Sequence, residues 1–121
     1  MRIEKAQEEL LYLAQGGTAV GTGLNSSKDF SNGFLKALEK MTGIKFKKSK
    51  NYFESLSSHE PILNFSSAIN TLVSACYKIA NDIRLLSSGP RCGINEITIP
   101  ANEPGSSIMP GKVNPTQSEA V

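Results

Sequence analysis

Pro61-Ile-Leu-Asn-Phe-Ser-Ser-Ala-Ile-Asn-Thr-Leu-Val-Ser-Ala-Cys-Tyr-Lys-Ile-Ala-Asn-Asp-Ile-Arg-Leu-Leu86 is the stretch on which the fold turns. Within it Ile62, Phe65, Ile69, Leu72, Cys76, Ile79, Ile83 and Leu86 recur at alternating spacings of three and four. A strand would alternate every second residue, so this spacing predicts one long helix with an unbroken apolar seam. Leu63, Val73, Tyr77 and Ala80 widen the seam, and a helix apolar over so broad an arc faces more than one neighbour. Ser57 or Ser58 is placed to cap its start, Pro61 falls in the first turn, and Ser88-Gly89-Pro90 stops it. Such a rod, roughly 39 Å long at the helical rise, needs helical partners of similar length. The rest of the chain offers little to match it. The partners are expected from other copies of the chain or from sequence outside it.

Working outward, Ile3, Ala6, Leu10 and Leu13 also share a helical face, predicting a helix over 3–14. The segment Gly16-Gly-Thr-Ala-Val-Gly-Thr-Gly-Leu24 ends it. It lacks the Gly-Lys-Ser/Thr ending of a phosphate loop, and no strand is predicted ahead of it to make a dinucleotide fingerprint. Phe30, Phe34, Leu38 and Met41 predict a short helix closed by Gly43; Ile44 to Phe53 is lysine-rich, with weak strand character. The chain thus divides into residues 1–25 (the end of a bundle helix and the glycine-rich segment), 26–60 (a connecting region with a short helix), 61–89 (the long helix) and 90–121. It reads as an internal piece of a longer protein, since it opens inside one helical pattern and Val121 stops inside another.

Composition narrows the function classes. A hydrophobic share of 39% and a charged share of 20% are those of an ordinary globular protein, which excludes global disorder. A net charge of +2 argues for neither nucleic acid nor a membrane surface as partner. Lys45, Lys47, Lys48 and Lys50 surround Phe46 and read as a solvated face on a loop or edge strand. No apolar run reaches the length of a membrane span, and no signal peptide is visible. Cys76 and Cys92 have no metal-ligand spacing; Cys76 lies on the seam and is expected as a buried, reduced thiol. The single histidine, His59, stands just ahead of the long helix, as a surface or capping residue.

Chemistry concentrates in Glu103-Pro-Gly-Ser-Ser-Ile-Met-Pro-Gly-Lys-Val-Asn-Pro-Thr-Gln117. Two serines follow a glycine on a loop; Lys112 and Asn114 come next. Asn114 at N-cap, Pro115 at N1 and Gln117 then announce a new helix. Turn amides, the lysine and the helix start all favour negative charge, so the segment reads as an anion-binding loop suited to a carboxylate.

This string resembles the signature of the fumarase/aspartase superfamily, whose members eliminate HX across a carbon–carbon bond beside a carboxylate. Gly16 to Asn25, Lys78-Ile-Ala-Asn-Asp-Ile-Arg84 and Ser88-Gly-Pro-Arg-Cys-Gly-Ile94 are similar, in order, to the class II fumarase pattern, so nearly the whole chain is covered. Asn102-Glu103-Pro104, Arg91-Cys92-Gly93 and Gly111, where aspartases usually carry alanine, favour the fumarases. The resemblance implies an all-α fold, part of a long-helix bundle domain followed by the active-site loop, in a homotetramer whose sites draw on three subunits. It implies reversible hydration of fumarate to (S)-malate, a step of the tricarboxylic acid cycle, in the cytoplasm or mitochondrial matrix and without metal or organic cofactor. By motif position Ser106 corresponds to the base that takes the proton from C3 of malate. Lys112, Val113 and Asn114 correspond to the holders of the substrate carboxylate, Ser107 to a further substrate contact, and Glu119 to the acid that orients a catalytic histidine. The motif carrying that histidine is not matched anywhere in the chain, so the chain alone is expected to be inactive. The alternatives are an aspartate ammonia-lyase of the same superfamily and a non-catalytic helical association module.

Overall fold

A computed structural model describes residues 2–121. In chain order the elements are α1 (Arg2–Glu9), β1 (Tyr12–Leu13), α2 (Phe30–Thr42), β2 (Lys47–Lys48), α3 (Tyr52–Ser57), α4 (Glu60–Leu86) and α5 (Thr116–Ala120). Helices carry the architecture, as the all-α expectation requires; the two strands span two residues each. The chain forms two compact units that meet within α4, one ending at Ile69 and the other starting at Asn70.

In the first unit the expected helix over 3–14 stops at Glu9. Its last turn tightens, with Leu10 N–H donating to Gln7 O and Leu11 N–H to Glu8 O. The chain then extends, and Tyr12–Leu13 pair in parallel with Lys47–Lys48. Lys47 N–H donates to Leu11 O at 2.8 Å and Ser49 N–H to Leu13 O at 3.0 Å. The pairing captures carbonyls that a continuing helix would have used. The lysine cluster is therefore tied to this short sheet: Lys47 and Lys50 lie over the Tyr12 ring, and Lys48 over that of Tyr52.

α2 ends as its sequence predicts. Gly43 takes φ +72, a left-handed conformation open to glycine, and its N–H closes on Glu39 O at 2.8 Å. Asn51 caps α3, its side-chain oxygen accepting from Phe53 and Glu54 N–H. Ser57 and Ser58 do not cap α4. Their hydroxyls turn back to α3, donating to Phe53 O and Glu54 O, and the carbonyl of His59 receives the first α4 amides, those of Ile62 and Leu63. The Ser58 hydroxyl also donates to the Glu60 carboxylate, which holds that carboxyl below the usual range. Asn64 on α4 donates to Glu9 at 2.9 Å, joining the ends of α1 and α4.

The glycine-rich segment is shaped by close packing. A Cβ on Gly16 would lie 2.0 Å from Ser31 Oγ, one on Gly17 would lie 2.9 Å from Leu56 Cδ1, and one on Gly21 would lie 2.8 Å from Phe53 N. The strand whose absence counted against a dinucleotide fingerprint does precede it, in two-residue form. The loop nonetheless folds onto α2 and α3, and those elements occupy the space beside its glycines. At its start, the Gln15 carbonyl accepts from Ser31 Oγ at 2.7 Å and from Tyr52 Oη at 3.1 Å, and the two hydroxyls are 2.8 Å apart.

α4 runs 27 residues. Along its seam only Ala80 is buried; Leu72 and Val73 are each 50% exposed and Tyr77 63%. Cys76 is correspondingly exposed, contrary to the expected buried thiol, because among the described residues no helix of matching length covers the seam that should enclose it. Among the described residues no helix is long and apolar enough to cross a membrane.

Candidate functional site

The second unit holds the loop. After α4 the chain turns at Gly89 (φ +137), where a Cβ would meet the Asn95 side chain at 2.9 Å. Asn95 N–H donates to Ser88 O at 2.7 Å and Glu96 N–H to Leu86 O at 2.9 Å, folding residues 95–96 back onto the end of the helix. From there the chain reaches the serine loop.

The two arms of that loop close on each other. Gly105 N–H donates to Lys112 O at 2.8 Å, and the Asn114 side-chain amide donates to Gly105 O at 3.3 Å. Inside this neck, Ser106 Oγ accepts from the amides of Ile108 and Met109, each at 3.3 Å. Gly111 supplies the reversal, at φ +76. Two main-chain donors therefore converge on one hydroxyl oxygen, the arrangement that favours negative charge there.

Ser106, Ser107, Lys112 and Val113 line a single open depression of about 530 Å³, together with Asn102 and Glu103. Asn114 and Glu119 line a neighbouring depression of about 560 Å³ with Arg84, Ser88, Asn95 and, shared by both, Val113. Ser106 and Lys112 thus line one depression and Asn114 and Glu119 the other, with Val113 in both. Asn114 does not act as the expected N-cap. Pro115 occupies that position without a side-chain cap, α5 begins at Thr116, and the Asn114 amide is turned back to the loop neck. α5 is five residues long here, so its dipole adds little, and the loop amides and Lys112 carry the electrostatics. Reading residue types passed over Ile108 and Met109, whose contribution is main-chain and leaves no mark on side-chain identity. His59 belongs to the first unit and heads α4. No grouping of three or more His, Cys, Asp and Glu side chains suited to a metal occurs among the described residues.

The profile of the lyase family matches residues 1–121. The class II fumarate hydratase of Oceanobacillus iheyensis is 60% identical over 119 residues, covering 98% of this chain and 26% of that protein. That of Brucella suis is 56% identical over 120 residues, covering 99% of this chain and 26% of that protein. The crystal structure of the class II fumarase from Schistosoma mansoni superposes with a TM-score of 0.91 at 44% identity, over 98% of this chain and 28% of that one. The chain spans about a quarter of the length of the curated relatives it matches. It belongs to the lyase family, and the relatives it matches there are class II fumarate hydratases.

Proposed function

We propose that the chain contributes the proton-abstracting loop of a fumarate hydratase, a lyase that interconverts fumarate and (S)-malate by reversible hydration. The observation that carries this reading is the Ser106 oxygen, held by two amide N–H donors in a depression that Lys112 also lines. A serine hydroxyl is ordinarily far too weak an acid to act as a base. A hydrogen bond to a charged group contributes about 1.5–3 kcal/mol against about 0.5–1.5 for a neutral one, so two amides favour an alkoxide by roughly 2–3 kcal/mol. That is not enough by itself. The Lys112 cation has to supply a further share, once assembly of the whole enzyme closes this open depression to water and its charge is weakly screened.

In this reading the Ser106 oxygen takes the proton from C3 of malate, and the bond electrons move into the adjoining carboxylate, which then carries two negative charges. Lys112, Asn114 and the main chain at Val113 hold that carboxylate as the charge grows, and Ser107 makes a further contact. Water then leaves from C2, assisted by a histidine that Glu119 orients and that this chain does not itself provide. The exposed seam of α4 supports assembly with further copies, a homotetramer whose sites are shared between subunits. The setting would be the cytoplasm, or the mitochondrial matrix in a eukaryotic host.

The test is a class II fumarate hydratase in which residues 1–121 replace the matching quarter. Ser106→Ala should lower kcat about 10²–10⁴-fold with little change in KM, the signature of a group used mainly in the transition state. A near-normal kcat with a sharply raised KM would make Ser106 a substrate contact instead. Assaying the same graft with aspartate separates hydration from ammonia elimination.

A further inference from the structure

We infer that Gly105 is a positioning residue, fastening the two arms of the serine loop so that Ser106 and Lys112 keep one fixed spacing. The inference rests on the reading of Ser106 as the base. Gly105 is bonded through both of its main-chain polar groups: its N–H donates to Lys112 O at 2.8 Å, and its carbonyl accepts from the Asn114 side-chain amide at 3.3 Å. The residue that follows it is Ser106. One glycine therefore ties the serine arm to two residues of the opposite arm.

The fit leaves no room for a side chain. A Cβ at Gly105 would lie 2.8 Å from the Lys112 carbonyl oxygen, 2.9 Å from its carbonyl carbon and 3.0 Å from its Cγ. The first two are main-chain atoms, which cannot swing aside as a flexible side-chain tip would. Any larger residue must push the arms apart and strain the 2.8 Å hydrogen bond between them. Gly111 makes the contrast. It takes φ +76 with nothing within 4 Å of a Cβ, so glycine serves there for conformation, whereas at Gly105 it serves for contact. With the neck shut, residues 106–111 form a loop closed at its base, and the serine and the lysine move together. With the neck wedged open they move independently, and a displacement of about 1 Å between reacting groups is enough to lower a rate about 10²-fold.

The same grafted enzyme tests this. Gly105→Ala should lower kcat/KM about 10²-fold while the protein still folds and assembles. In a Ser106→Ala background the same wedge should lower the residual rate less than about threefold, because the spacing it disturbs has lost one partner. A general structural defect would instead multiply through both backgrounds. Gly105→Ala within about threefold of the parent, alongside a crippled Ser106→Ala, overturns the positioning role and leaves the base reading standing. A near-normal kcat for Ser106→Ala overturns both. Equal multiplication in the two backgrounds also overturns the positioning role. Amide exchange on the unaltered enzyme tests the clasp even where the alanine variant fails to fold. The Gly105 N–H should exchange at least about tenfold more slowly than its intrinsic rate, and exchange at the intrinsic rate would remove the clasp.

Discussion

Gly16→Ala and Gly33→Ala make the same chemical change, and the fold predicts opposite signs for them. At Gly16 the backbone sits at φ +103, outside the regions open to alanine, a strain of about 1–3 kcal/mol. The new methyl would also lie 2.0 Å from Ser31 Oγ, so Ser31 must leave its bonds to Gln15 O and Tyr52 Oη. Ser31 is only 6% exposed, and a buried hydroxyl left unpaired costs about 1–3 kcal/mol. Together these destabilise by roughly 2–6 kcal/mol. Gly33 lies in the first turns of α2 with nothing within 4 Å of a Cβ, so alanine there should stabilise by about 0.5–1 kcal/mol through helix propensity. At about 2.1 cal/mol/K of unfolding entropy per residue, 121 residues give roughly 0.25 kcal/mol per degree. Gly16→Ala should then lower Tm by roughly 8–24 °C, and Gly33→Ala should raise it by roughly 2–4 °C. Urea melts followed by helical circular dichroism provide the check, with midpoints compared at unchanged m. A Ser31→Ala background adds a second test. The 2.0 Å clash and the orphaned hydroxyl both vanish there, leaving contacts of 3.2 Å to Tyr52 Oη and 3.3 Å to the Cβ of residue 31, so Gly16→Ala should retain its backbone strain and only a small contact penalty. The reasoning fails if Gly16→Ala shifts the midpoint no more than Gly33→Ala does, or if its penalty is undiminished without Ser31.

Three further outcomes follow from the site and the seam. In the grafted enzyme, Lys112→Met should raise KM and lower kcat together, a combined loss of several kcal/mol for a charge-assisted contact in a dry site, with Lys112→Arg restoring only part; unchanged steady-state constants would remove Lys112 from the carboxylate pocket. The 121-residue chain by itself should not hydrate fumarate above background, followed as loss of fumarate ultraviolet absorbance; turnover near that of intact enzymes would show that the loop does not depend on the missing histidine motif. The same chain should sediment as dimers or larger species at micromolar concentration, driven by the apolar face left open on α4; a monomer with sharp thermal unfolding would contradict the bundle reading.

What the residues disclosed, and what they hid, follows from the range of the forces involved. α4 was legible because its seam repeats along the whole 27-residue helix, and no other backbone geometry satisfies so long a pattern. The end of α2 was equally legible, since Gly43 acts through its own φ. The stop of α1 at Glu9 was not. Tyr12 and Leu13 continue the helical spacing, and only pairing with the distant Lys47 and Lys48 draws them into a strand. Asn114 misled for a related reason: it carries the capping signature, but its amide is turned back across the loop to Gly105, nine residues earlier. In the candidate site, Ser106, Ser107, Lys112, Val113, Asn114 and Glu119 came from a motif. The division into two depressions around Val113 and the role of the Ile108 and Met109 amides depend on loop geometry that side-chain identity does not encode.

The junction at Gln15 carries a consequence for which positions in this segment can vary. Ser31 and Tyr52 both bond to the carbonyl oxygen of residue 15, an atom every amino acid possesses, while the Gln15 side chain is itself exposed. The residue at the meeting point of three segments is therefore the freest of the three in identity. Selection for this contact falls on the two partners and on the glycine next door. A substitution survey should find position 15 permissive to most residues other than proline or glycine, flanked by the intolerant positions 16, 31 and 52. A junction anchored on main chain in this way can drift in sequence at its centre while its geometry stays put.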